Sequence, residues 1–250
     1  MRRSLCLLSV VLALFAGHAF GQARSIVEPP FSIWDAELGA PVSIIPPLDV
    51  NELSCGTNGG PPSYPLADPE EFTTCKPEET GLREVHFSYD DELDYVARAM
   101  DSEYQVLKDG TSVFAHPVVV SVLVDADSVI QGIRIMTDAR ASLLNRRRSA
   151  TLMRNLTAKY KNWNLDCTDL PLAEHEKKIG QHFIKRFCTG RSPDGLSSIR
   201  LDARYLRKPG QEGVNRETRK VNAGYFESFT RLEIVRLPYE TTPPPVRSAK

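Results

Sequence analysis

The groups of this 250-residue chain that could move protons, hold metals or bind ions are its histidines, its cysteines and a large set of charged side chains. Beyond residue 23 the histidines are His86, His116, His175 and His182. A helical zinc site needs two histidines four positions apart with a glutamate between them. Glu174-His175-Glu176 has the residue types, but Ile179 stands where the second histidine belongs. His86 falls on the polar side of an alternating segment, His116 precedes Pro117, and His182 heads an apolar and basic run, so each reads as a surface or hydrogen-bonded structural residue. Neither GxSxG nor Ser-x-x-Lys gives a serine nucleophile, and no dinucleotide fingerprint is present. Carboxylates crowd Glu84 to Asp94, yet a glycosidase pair needs two carboxyls across a cleft. Asp90 to Asp94 also lacks the glycine and bidentate glutamate of a calcium loop. The enzymatic alternative is therefore a secreted hydrolase assembled around His86, His116 and that acidic segment.

Binding chemistry has the stronger candidate. Leu152, Met153, Leu156, Tyr160 and Trp163 recur at helical spacing, and Arg147, Arg154 and Lys161, seven apart, lie off that stripe with Arg140, Arg146, Arg148 and Lys159. A basic amphipathic helix of this kind suits an anionic partner. Arg146, Arg147, Arg148, Arg154 and Lys161 are the candidate contacts. A solvated helix face that packs its apolar stripe on a sheet would have the same composition.

The first 23 residues carry Arg2 and Arg3, an apolar run from Leu5 to Ala16, and small residues Gly21 and Ala23, the layout of a secretory signal peptide. Its removal takes Cys6 and leaves Cys55, Cys75, Cys167 and Cys188, an even set for an oxidising compartment. Four cysteines allow three pairings. Cys55 with Cys75 and Cys167 with Cys188 is favoured, because each pair is close in sequence and brackets a polar stretch. Without any CxxC spacing a zinc site is disfavoured.

Positioning these groups falls to a chain of two characters. Residues 24–80 hold ten of the eighteen prolines and the cluster Gly56-Thr57-Asn58-Gly59-Gly60, which blocks continuous helix or central strand. The cluster is no phosphate loop, since Pro61-Pro62 follows it where a helix should begin. Phe31, Ile33 and Trp34 can anchor this segment or add an edge strand. From residue 81 the pattern turns regular: a strand at Val85 to Tyr89, a helix through Leu93 to Leu107, strands at Val113 to Val124 and Val129 to Met136, the basic helix, and strands near Phe183 to Cys188, Ile199 to Tyr205 and Tyr225 to Leu237. The expected fold is α+β, a largely antiparallel sheet with two amphipathic helices behind an irregular Pro/Gly-rich segment. Its divisions are a signal peptide at 1–23, the disulfide-held extension at 24–80, the α+β domain at 81–238 and a tail at 239–250.

The net charge of -1 hides a division along the chain. Residues 24–110 carry 5 Lys/Arg against 18 Asp/Glu, and residues 111–250 carry 24 against 14. An acidic front precedes a basic back, and the two halves can neutralise each other or face a partner. Nucleic acid is excluded by the mild overall acidity and the expected compartment.

Val118 to Trp163, with a hairpin through Val122-Leu123-Val124-Asp125-Ala126-Asp127 and a helix ending near a tryptophan, resembles the strand-strand-helix layout of the TonB C-terminal domain over under a fifth of the chain. Ser128 stands where that family usually has a turn glycine, and the resemblance carries over no residue role and no function. The sequence thus describes a secreted or periplasmic binding or envelope-associated protein with no bound cofactor and no transmembrane span after signal removal. Its partner is expected to be a protein or an anionic envelope component.

Overall fold

A computed structural model describes residues 31–89, 111–141, 146, 149–209, 211, 217–219 and 226–240. The signal peptide, the expected helix at 93–107 and the C-terminal residues 241–250 lie outside the described residues.

One antiparallel sheet dominates, with nine strands among the described residues. They are β1 (Glu52–Cys55), β2 (Arg83–Ser88), β3 (Thr111–Val113), β4 (His116–Val124), β5 (Ile130–Thr137), β6 (Asp166–Asp169), β7 (Ile184–Arg191), β8 (Ser197–Leu206) and β9 (Glu227–Arg236). Their order is β1-β2-β4-β5-β9-β8-β7-β6, with β3 also paired to β4. Five of the expected strands appear within a few residues of their sequence positions. The run from Val113 to Val124 is not one strand: Phe114 and Ala115 turn it into the β3–β4 hairpin. Neither residue advertises a turn, so the break has no sequence signature.

Alternation gives the sheet two unlike faces. Val85, Phe87, Val120, Val122, Ile133, Ile135, Leu201, Leu232 and Ile234 line the apolar face, and their register aligns them across neighbouring strands. The helix α1 (Ser149–Lys159) covers part of this face through Leu152, Met153 and Leu156, each buried. This is the expected amphipathic stripe, shorter than the 141–163 span the periodicity suggested. The Pro-rich segment joins the same core with buried Ile33, Val42, Ile45 and Phe72. It also supplies β1, which the sequence reading did not separate from its irregular surroundings.

Cys55 is bonded to Cys75 and Cys167 to Cys188, the favoured pairing. The second bond joins directly opposed residues of β6 and β7. β6 is exposed along its whole length, so no burial pattern marked it as a strand.

The β4–β5 turn takes a left-handed residue without glycine. Asp125 Oδ1 accepts from the backbone N–H groups of Asp127 and Val129 at 2.9 and 3.0 Å, and Ser128 takes φ +64° without being glycine. Asp and Asn side chains that bind their own turn stabilise such conformations.

Candidate functional site

The two histidines of the hydrolase alternative do not meet. His86 pairs in register with Ser121 and stands with Glu52, Ser54, Glu84 and Arg134 on the polar face. His116 is an odd number of residues from Ser121 on β4, so its side chain projects to the opposite, apolar face. His86 is 2% exposed, with Nδ1 2.7 Å from the Val120 carbonyl oxygen and Nε2 3.7 Å from a Glu52 carboxylate oxygen. His86 and Arg140 hold the Glu52 carboxyl below its ordinary range against the opposing effect of burial. His116 is 1% exposed, and Nε2 lies 3.1 Å from Thr137 Oγ1. Burial, aided by the cation of Arg146, pushes its pKa down to about 4. Both histidines are thus held inside separate structural environments. The acidic segment at 90–94 lies outside the described residues.

The polar face holds the largest concentration of buried charge, which sequence reasoning missed. Arg134, 2% exposed on β5, donates to both carboxylate oxygens of Glu78 at 2.8 and 3.1 Å. It also meets Glu84 at 2.9 Å and Glu233 at 2.8 Å. Arg231 bonds Glu233 at 2.7 Å and the Asn58 amide oxygen at 2.6 Å, and the Asn58 N–H donates to Glu84. Burial works against charge on Arg134, but the three carboxylates raise its pKa overall. Burial likewise opposes charge on Glu233, yet Arg134 and Arg231 hold its carboxyl below the usual range. The network fixes the glycine-rich loop over the sheet. Gly59 lies so close to Met136 that an added Cβ would collide with its Sδ, and its φ of +80° favours glycine independently.

The basic candidates separate into three groups. Arg147 and Arg148 lie outside the described residues. Arg146 is half-buried and lines a cavity of about 280 Å³ with Thr137, Lys208, Phe226, Glu227 and Phe229. Arg154 and Lys161 are exposed, as is Lys159, whose Nζ sits 4.2 Å from the centroid of the Trp34 ring.

Arg154, Lys159 and Lys161 have no carboxylate partner among the described residues, and Arg154 has only Thr151 Oγ1 at 3.3 Å. From Ala139 to Leu165 the chain has seven Lys/Arg and no Asp or Glu. Elsewhere in the basic half several cations are paired locally, Arg186 with Asp169, Lys185 with Glu176, Arg191 with Glu240, and Arg204 with Asp202, while Lys177 and Lys178 are exposed and meet no carboxylate among the described residues. Between described residues, the ion pairs joining the acidic front to the basic back are those of Glu78 and Glu84 with Arg134. Among the described residues the front therefore supplies no counter-charge to Arg154, Lys159 or Lys161. Trp34 beneath Lys159 is the neighbour that no sequence spacing could have assigned to them.

Among the described residues no three His, Cys, Asp or Glu side chains are grouped to hold a metal ion, and no helix is long and apolar enough to cross a membrane. Comparison with family models, curated proteins and solved structures finds no match.

Proposed function

We propose that this chain is a secreted or periplasmic, envelope-associated binding module that engages an anionic partner through the basic surface of α1. The α+β reading, with a second amphipathic helix over 93–107, belongs to this proposal, as does removal of residues 1–23. The observation that carries it is the acid-free stretch from 139 to 165, whose exposed cations Arg154, Lys159 and Lys161 meet no carboxylate among the described residues. Other exposed cations such as Arg140, Arg191 and Lys208 are paired with carboxylates, and like charges left together repel one another unless an outside anion joins them. Two disulfides suit an oxidising compartment.

Heparin serves as a soluble polyanion probe of the mature protein. Binding is expected to weaken steeply as salt rises. Replacing Arg146, Arg147, Arg148, Arg154 and Lys161 together by Gln should abolish it, with the fold checked by circular dichroism. An unchanged affinity in that variant overturns the proposal and leaves α1 as a solvated helix face.

A further inference from the structure

The β3–β4 hairpin turns on Phe114 and Ala115, with φ of +52° and +57°. A two-residue turn with both central residues left-handed is ordinarily made by Asn-Gly or Asp-Gly. A bulky aromatic residue is strained there, and strain of this kind is held in place by its surroundings and clusters at ligand-binding positions. The turn presents Phe114 at the tip, 38% exposed, while the next-but-one residue His116 is buried. The Phe114 ring lies 5.9 Å from that of Trp34, and Trp34 in turn carries Lys159 at 4.2 Å. An apolar tip thus continues through Trp34 to Lys159, one of the cations that meet no carboxylate among the described residues.

We infer that this surface docks on an anionic lipid bilayer, with Phe114 entering the boundary between headgroups and acyl chains while Lys159, Lys161 and Arg154 meet lipid phosphates. The inference rests on the anionic-partner reading and names the partner. A soluble polyanion satisfies the cations but offers nothing to an exposed phenyl ring on a strained turn. A bilayer offers both an anionic surface and an apolar phase beneath it. The charge complementarity comes from the acid-free stretch.

The test is co-sedimentation of the mature protein with vesicles of phosphatidylcholine, with and without phosphatidylglycerol, beside heparin binding. Phosphatidylglycerol should be required. Removing Arg154, Lys159 and Lys161 as Gln should weaken binding roughly fivefold per cation. Phe114→Asn with Ala115→Gly supplies the preferred turn residues, so it should raise the melting temperature while weakening vesicle binding about tenfold and leaving heparin binding unchanged. Phe114→Trp should retain vesicle binding, and its added fluorescence should be quenched by lipids brominated in the acyl chain. Vesicle binding that ignores the Phe114→Asn/Ala115→Gly change, an unquenched Trp at 114, or heparin binding without vesicle binding each overturns the bilayer inference and leaves the anionic-partner reading standing. Binding to neither probe overturns both.

Discussion

Replacing Arg134 by Met removes one cation from among three carboxylates, and the cost follows from what each carboxylate has left. The Glu78 side chain is 24% exposed and can return to water. Glu233 keeps Arg231 at 2.7 Å. Glu84, with a side chain 3% exposed, retains only the Asn58 N–H and is the group stranded without a counter-charge. Breaking a buried ion pair by removing one partner typically costs about 3–5 kcal/mol. That is a large share of the roughly 5–15 kcal/mol that stabilises an ordinary domain. Urea denaturation should show it as a lower midpoint with an unchanged slope. Adding Glu84→Gln to Arg134→Met should recover a substantial part of the loss, because the amide carries no charge to desolvate. Hydrogen exchange should quicken in residues 56–63, which the network holds over the sheet. The acid limb should change as well. The Glu233 carboxyl is lowered from its ordinary 4.5, so the stability it contributes is present above that value and is lost as pH falls through the lowered one. With one of its two cations gone, that loss should be smaller. An Arg134→Met protein within about 1 kcal/mol of the parent, or no recovery on adding Glu84→Gln, would refute the reasoning.

Three further expectations concern the core. His116 is held neutral by burial, with its pKa lowered from 6.5 to about 4, so the unfolded chain binds its proton first and stability falls as pH drops between those values; His116→Gln should remove about 3 kcal/mol of that pH dependence, read from denaturation midpoints across the window. Gly132→Ala should destabilise by about 1–3 kcal/mol in thermal or urea unfolding, since its Cβ would lie 2.7 Å from the Ile234 carbonyl oxygen in the adjacent strand, where backbone cannot move aside. Both disulfides close loops worth roughly 3 kcal/mol, but Cys55→Ala/Cys75→Ala should cost more than Cys167→Ala/Cys188→Ala, because both members of the first pair are buried while Cys167 is exposed; urea midpoints of the two variants check the order.

Parts of the fold were legible because they rest on local periodicity. The strands at Val85, Val118, Ile133, Leu201 and Ile234 repeat apolar residues at every second position, and Leu152, Met153 and Leu156 keep to one helical face. Pairing the cysteines by proximity also succeeded, since bonds of sequence separation 20 and 21 join neighbouring segments. The short strands β1, β3 and β6 escaped because they are defined by partners distant in sequence. β6 is wholly exposed, β1 sits among prolines, and β3 is severed from β4 by a turn made of residues that do not signal one.

The sequence alone determined the segregation of charge and the presence of an acid-free basic helix, because both are properties of neighbouring residues. Tertiary structure decided which charges find partners. Sheet register sets His86 and His116 on opposite faces, and the packing of loops on the sheet gathers Glu78, Glu84 and Glu233 around Arg134 and lays Trp34 beside Lys159 with Phe114 against Trp34. The physical reason is range: hydrophobic period and helix spacing act over a few residues, whereas a buried charge must be satisfied by whatever the folded chain brings within a few ångströms.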